Sequence, residues 1–422
     1  MNLPLKTALL ASLGTALDYY DFVLYILLSA FIAPIFFSGH SPFIQMMNVL
    51  GIFAAGYVAR PLGGFAFGHF ADRYGRKKVF LSSILLMAGS TFALGLLPGY
   101  ARLGALSIAL LLICRILQGL AQGAEIPGAI TFVAEHAPQA KRAFLVSLAL
   151  AGAGLGAMLA SLINSILLHF LSTMQMLQFG WRLPFLLGGT LAIVGFIIRK
   201  NSTEPSLFLE DSQRYQLPLL QVLRQHQWMV LRGMGVITLP GSLILFGLFL
   251  PNYLLLHFAY PLKQTYAVFT VSLVESAGLI LLSGFLVDRL GLKRLFSLLV
   301  LMSLMLLIPI FQILKLKTTA ALWIFLLIYE GLIGLMSGCY PPFLAQIFPT
   351  PVRMSAVAIS YNLAYLLIGF VPMLGLYLIQ ISHNPQSIAW LMLGAGLISA
   401  LCLRGSLPCN YQTHSPSSSQ DQ

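Results

Sequence analysis

The chain has 422 residues, of which 58% are hydrophobic and 9% charged, and its formal net charge is +12. A soluble domain carries about 25% charged residues, so a water-soluble globule is excluded. The positive charge is spread over turns between apolar runs, which argues against a nucleic-acid partner and for a chain embedded in a lipid bilayer.

Apolar runs of about 20 residues recur along the length, the span a helix needs to cross hydrocarbon. They lack strand-like alternation, which favours helices over a barrel. Twelve spans are expected, at 8–37, 44–70, 79–99, 103–134, 144–171, 181–199, 229–257, 264–287, 295–314, 319–347, 355–381 and 387–404. The first, fourth, tenth and eleventh are long enough to tilt or to extend past the bilayer. Lys6 and the apolar run after it suggest a signal peptide, but Asp18 and Asp21 interrupt that run and no small-residue cleavage site follows. The reading is an uncleaved first helix.

Ionisable groups inside a membrane cost at least a few kcal/mol each and ask for a reason. In the first span Asp18, Asp21 and Tyr25 share one helix face by their spacing. Two carboxylates that close repel when both are ionised and favour binding a proton, as a proton-coupled carrier requires. The alternative is that one aspartate pairs permanently with Arg60 or Arg115, the two basic residues inside spans, and braces the bundle. In the fourth span Arg115, Gln118, Gln122 and Glu125 fall within an arc of about 80° at helical spacing. That polar stripe is expected to face an aqueous cavity, with the Arg115 fork suited to a carboxylate on substrate or protein. Glu125 lies about 15 Å along the helix from Arg115, so it serves as a proton relay or as part of a gate.

A polar connector over 201–228 separates the halves. Beyond it, Glu275 and Glu330 are lone acids in the eighth and tenth spans, read as cavity-facing or as braces. Tyr361, Asn362 and Tyr365 offer neutral hydrogen bonds from the eleventh or ordinary helix contacts. The tail over 405–422 is rich in Ser, Gln and Pro and reads as disordered. Cys114, Cys339, Cys402 and Cys409 lack metal-ligand spacing, the histidines form no metal pattern, and no phosphate loop is present. No cofactor is expected, and an ion gradient rather than ATP is the expected energy source.

The chain also repeats itself. Gly68, Asp72, Arg73 and Gly75 lead into a basic run from Arg76, and the pattern recurs as Gly284, Asp288, Arg289 and Gly291 before Lys293 and Arg294. Phe132, Ala134, Pro138 and Arg142 recur as Phe343, Ala345, Pro349 and Arg353 at nearly the same offset. Two parallel repeats in a membrane imply two halves, 1–200 and 229–404, around a midplane cavity. With both termini placed in the cytoplasm, Lys6, Arg73, Arg76, Lys141, Arg142, Arg289, Lys293, Arg294 and Arg353 all fall on that side, following the positive-inside rule.

These motifs resemble the major facilitator superfamily, and within it the metabolite:proton symporters that include proline/betaine, citrate, 2-oxoglutarate and shikimate carriers. Asp18-Tyr19-Tyr20-Asp21-Phe22, Ala59-Arg60-Pro61-Leu62-Gly63-Gly64, Arg115-Ile116-Leu117-Gln118-Gly119 and Gly180-Trp181-Arg182-Leu183-Pro184-Phe185 are similar to that branch's first, second, fourth and sixth helices. The resemblance implies an all-α membrane protein of twelve helices in two six-helix halves. It also implies proton-coupled uptake of a small zwitterionic or carboxylate metabolite by alternating access, in a bacterial-type inner membrane. A proton-antiporting exporter and a non-transporting sensor are the alternatives; a monomer is the expected working unit. Gly68, Asp72, Arg73, Gly75, Arg76, Glu135, Arg142, Asp288, Arg289 and Arg353 would then form a gate at the cytoplasmic helix ends. Leu292 and Gln346 stand where the first repeat has Arg76 and Glu135, so the second charged turn is expected to make fewer contacts.

Overall fold

The fold is given by a computed structural model that describes residues 3–74, 76–123, 125–201, 222 and 224–404. Of these, the side chains of 3, 4, 6, 7, 68–80, 194–201 and 351 lie outside the description. Among the described residues the chain is all helical, because in hydrocarbon every backbone polar group needs a partner within its own segment. The first half contains α1 (Leu3–Leu27), α2 (Ser29–Phe36), α3 (Pro42–Tyr74), α4 (Arg76–Leu96), α5 (Ala105–Gln122), α6 (Glu125–His136), α7 (Arg142–Phe170) and α8 (Arg182–Asn201). The second contains α9 (Gln227–Phe258), α10 (Leu262–Leu290), α11 (Leu292–Ile313) and α12 (Thr319–Ser337), then α13 (Tyr340–Ile347), α14 (Arg353–Ile368), α15 (Val371–Ser382) and α16 (Ser387–Leu403). Most of the connector, and the tail at 405–422, lie outside the described residues.

Eight helical stretches are long and apolar enough to cross a membrane, and the bent pair α1–α2 makes a ninth. Shorter apolar stretches in α4, α8 and α16 occupy the remaining expected spans. The fourth and tenth spans, equivalent by the repeat, are both broken beside a glycine, Gly123 and Gly338. Glycine also sets how closely α5 crosses α3. A Cβ on Gly119 would strike the Gly56 carbonyl, and one on Gly123 would strike the backbone of Arg60 and Gly64.

The halves meet along α7 against α10 and along α3 against α14. At the end where the chain begins, Glu135 at the close of α6 pairs with Arg353 at the start of α14, 3.2 Å apart. There too Asp288, near the end of α10, accepts hydrogen bonds from the Ala143 and Phe144 amides at 3.0 and 2.9 Å. These are among the first amides of α7, which have no partner within their own helix and favour a carboxylate.

At the far end the halves are joined through the 57° bend between α1 and α2. A bend there frees backbone groups that need new partners. Asn252 of α9 supplies them: its Oδ1 accepts from the Ala30 amide at 3.2 Å, and its Nδ2 donates to the Ile26 and Leu27 carbonyls at 3.0 and 3.1 Å. The Tyr266 hydroxyl of α10 donates to the Leu27 carbonyl as well.

Candidate functional site

Between the two sets of cross-half contacts lies a central cavity. Its lining combines Tyr19 of α1, Ile126 of α6, Leu150, Ala153, Gly154 and Ala157 of α7, and Ile244 and Leu248 of α9 with Leu273, Ser276 and Ile280 of α10. Glu330, Ile333 and Ser337 of α12, Tyr340 of α13 and Tyr361 and Tyr365 of α14 complete it. Measured to the centres of water-sized spheres the cavity is about 60 Å³, room for a handful of waters. Small residues on α7 open the space, and four tyrosines and one carboxylate give it chemistry.

The tyrosines form one connected group. The Tyr340, Tyr361 and Tyr365 hydroxyls lie close to one another, and the Tyr361 hydroxyl lies close to Arg60. Tyr361 and Tyr365 have ring centroids 4.5 Å apart, and Tyr365 stacks on Tyr57 at 6.0 Å. Such a wall offers π faces to a cation and hydroxyls to an anion.

The arginines stand behind this wall, inside the first half. Arg60 lies over the rings of Tyr57 and Phe22 at 4.1 and 4.3 Å and of Tyr365 at 5.8 Å, and its guanidinium donates to Gln122 Oε1. Arg115 lies over Phe22 and Tyr25 at 4.4 and 4.6 Å and donates to the Phe22 carbonyl at 3.1 Å and to Gln118 Oε1 at 2.7 Å. Its Nε and second terminal nitrogen have no hydrogen-bond partner. Gln118 donates on to Thr91 at 2.8 Å, and Gln122 to the Asp18 carbonyl at 3.3 Å. Of the stripe expected to face the cavity, Arg115 and Gln118 thus turn towards α1 and α4.

Glu125, past the break, joins Thr15, Asp18, Tyr19, Gln122 and Ile126 around a smaller void that adjoins the cavity through Tyr19 and Ile126. Asp21 points away from both, towards Thr91 of α4 and Gly188 of α8. It is 1% exposed, and neither of its oxygens meets the geometry of an accepted hydrogen bond. Asp21 forms no ion pair with Arg60 or Arg115 among the described residues, so the brace expected of one of the two aspartates does not rest on Asp21. Tyr25 donates to the Val49 carbonyl at 3.2 Å, so it holds α1 to α3 and does not line the cavity. Asn362 likewise braces, donating to the Gly123 carbonyl at 2.7 Å.

Of the expected cavity residues, Glu330 and Tyr361 line it directly. Glu275 is half-buried, with its carboxyl against Gly331 on the neighbouring helix. Of the expected gate residues, Glu135 meets Arg353 and Asp288 lies near Arg142, each pair across the halves. Arg289 is exposed and covers the Phe285 ring at 4.2 Å. The side chains of Gly68, Asp72, Arg73, Gly75 and Arg76 lie outside the described residues. Sequence reasoning missed Tyr340 and Asn252 and gave Tyr19 no role. A lone Asn after Pro251 in an apolar helix was the available signal for Asn252, since intramembrane polar groups seek partners.

Comparison with known proteins agrees with this architecture. The sequence profile of the Major Facilitator Superfamily matches residues 12–360 and 239–422. The proline/betaine transporter of Salmonella typhimurium is 30% identical over 94% of this chain and 82% of its own length, and that of Escherichia coli K12 is 31% identical over the same shares. A glycine betaine/proline/ectoine/pipecolic acid transporter of Dickeya dadantii is 29% identical, again over 94% and 82%. Among solved structures, a D-xylose–proton symporter superposes with a TM-score of 0.72 at 20% identity, covering 95% of this chain and 97% of that one. The xylose transporter XylE from E. coli in a partially occluded inward-open conformation gives 0.69 at 19% identity over 95% and 97%. These likenesses fix a twelve-helix, two-half transporter fold, and the chain belongs to the major facilitator superfamily, in the branch that holds the proline/betaine carriers.

Proposed function

We propose that this carrier takes up a small zwitterionic or carboxylate solute together with protons, by alternating access across a bacterial-type inner membrane, with both termini cytoplasmic. The observation that carries the reading is the cavity lining: Glu330 and four tyrosine faces, backed by Arg60 within reach of Tyr361. A zwitterion fits it pole by pole. The cationic end sits against tyrosine faces and Glu330, and the anionic end takes hydroxyl bonds whose far partner is a guanidinium. Relatives described as proline/betaine transporters make glycine betaine and proline the first solutes to try.

In this reading residues 1–200 and 229–404 rock as two bodies. The Glu135–Arg353 and Asp288 contacts close the cytoplasmic end, and Asn252 with Tyr266 closes the periplasmic end. Asp18, Asp21 and Glu125 remain the proton-coupling candidates of the first half. The test is uptake into proteoliposomes of labelled glycine betaine, proline, dicarboxylates, citrate and shikimate, with and without an imposed pH gradient. Accumulation of a zwitterion or carboxylate only with the gradient supports the proposal. Accumulation without a gradient, or outward pumping driven by one, overturns it.

A further inference from the structure

The central cavity holds a charged group that no arginine answers. Glu330 is 2% exposed, lines the cavity, and has no hydrogen-bond or ion-pair partner among the described residues. One of its oxygens lies over Gly247 of α9, 3.2 Å from where a Cβ would stand. The second acid of this half, Glu275 of α10, rests over Gly331, the residue that follows Glu330, and the two carboxyls interact electrostatically. One Glu275 oxygen is buried and unpartnered. The other titratable groups around Glu330 are Tyr329 beside it and the cavity tyrosines 19, 340, 361 and 365, none of them a cation. Arg60 interacts with the far side of that tyrosine wall.

An uncompensated carboxylate at this depth costs several kcal/mol, and a second one beside it adds repulsion. Binding a proton removes both penalties at once, and the cavity side of Glu330 gives that proton a route from whichever face is open. We propose that Glu330, with Glu275 as its electrostatic partner, is a proton-binding site of the second half, facing the transport cavity. It gives proton-coupled uptake a site beyond the aspartates of α1, and because it concerns the proton alone it stands or falls separately from the identity of the solute.

The experiment is infrared titration of the purified full-length carrier in lipid nanodiscs, following the carboxylic-acid C=O band between acid and neutral pH with no solute added. The wild type should show a titrating band that Glu330→Gln removes. Glu330→Asp, which keeps a carboxyl, should retain a band and guards against misfolding as the cause of its loss. Glu275→Gln should keep the band but weaken proton binding at Glu330 by roughly tenfold, as loss of a neighbouring like charge does. A full band in Glu330→Gln, or unchanged proton binding in Glu275→Gln, overturns the proposal.

Discussion

Asn252 stands between two groups, the Ile26 carbonyl and the Ala30 amide, that an unbroken first helix would join to each other. Its Nδ2 donates to Ile26 at 3.0 Å and its Oδ1 accepts from Ala30 at 3.2 Å. One side chain of the second half thus completes the backbone of the first, and the bend of α1 into α2 is tied to contact between the halves. Opening that end must leave these groups to water or to each other. We expect the bend and the closure to form one equilibrium.

Asn252→Leu should open the far end of the cavity. The change leaves the Ala30 amide and the Ile26 carbonyl without partners only in the closed form, at about 1–3 kcal/mol for a buried group. We expect a roughly 5- to 150-fold shift in population, the usual reach of such couplings. Thiol labelling of Ala157→Cys in the cavity from the far side, in a background lacking Cys114, Cys339, Cys402 and Cys409, should rise accordingly. Labelling at the parent rate would show that Asn252 is not a latch.

Asp288→Ala should act in the opposite sense. Its carboxylate takes two amides at the start of α7, bonds to a charged acceptor worth about 1.5–3 kcal/mol each. Cavity labelling from the end where the chain begins should increase, while Asp288→Asn, which keeps one acceptor, should give an intermediate effect. An Asn variant as open as the Ala variant would place the contribution in charge rather than in hydrogen bonding. The absence of Arg76 and Glu135 counterparts at Leu292 and Gln346 led to the expectation of fewer contacts at the second turn than at the first, whose side chains lie outside the described residues; the partners Asp288 finds are backbone amides, which no side-chain pattern advertises.

The Glu135–Arg353 pair should matter less than its position suggests. Glu135 is 35% exposed on its side chain, and pairs that reach water contribute about 0–1 kcal/mol. Arg353 does more, because it also donates to the Phe348 carbonyl at 3.4 Å and to Thr350 at 3.0 Å. Thermal unfolding in detergent should therefore fall more for Arg353→Ala than for Glu135→Ala. A double-mutant cycle should return a coupling below about 1 kcal/mol that salt reduces; a larger, salt-insensitive coupling would show a desolvated latch.

Much of this architecture was legible in the chain because lipid imposes a simple rule on length and apolarity, and because the repeat of Gly68–Gly75 at Gly284–Gly291 gave the two halves. The inner arrangement was less legible. Helical spacing placed Arg115, Gln118, Gln122 and Glu125 on one stripe, but the aromatic shell of Phe22, Tyr25 and Phe53 holds Arg115 and Thr91 holds Gln118, which spacing alone does not reveal. Tyr340 escaped notice since a tyrosine in an apolar segment is as common in packing as in binding. Its role emerges only when α13 folds beside α14.

Arg115 separates two readings of the buried charge most sharply. If its fork grips a solute carboxylate, Arg115→Lys raises the concentration for half-maximal uptake and leaves the fold intact. The geometry favours another outcome. Arg115 is fully buried, packed over three rings with Phe53 at 5.5 Å, and holds the Phe22 carbonyl and Gln118, while the cavity begins beyond Tyr361 and Tyr365. A lysine keeps the charge but loses the planar stacking and one of the two directed bonds, a loss of about 2 kcal/mol or more when desolvated. We expect Arg115→Lys to lower the unfolding temperature in detergent and the maximal uptake rate, with the half-saturating concentration nearly unchanged. Arg60→Lys, which touches the tyrosine wall, should instead weaken solute affinity. If Arg115→Lys weakens affinity more than Arg60→Lys while unfolding as the parent does, the solute reaches past the tyrosines to the arginines behind them.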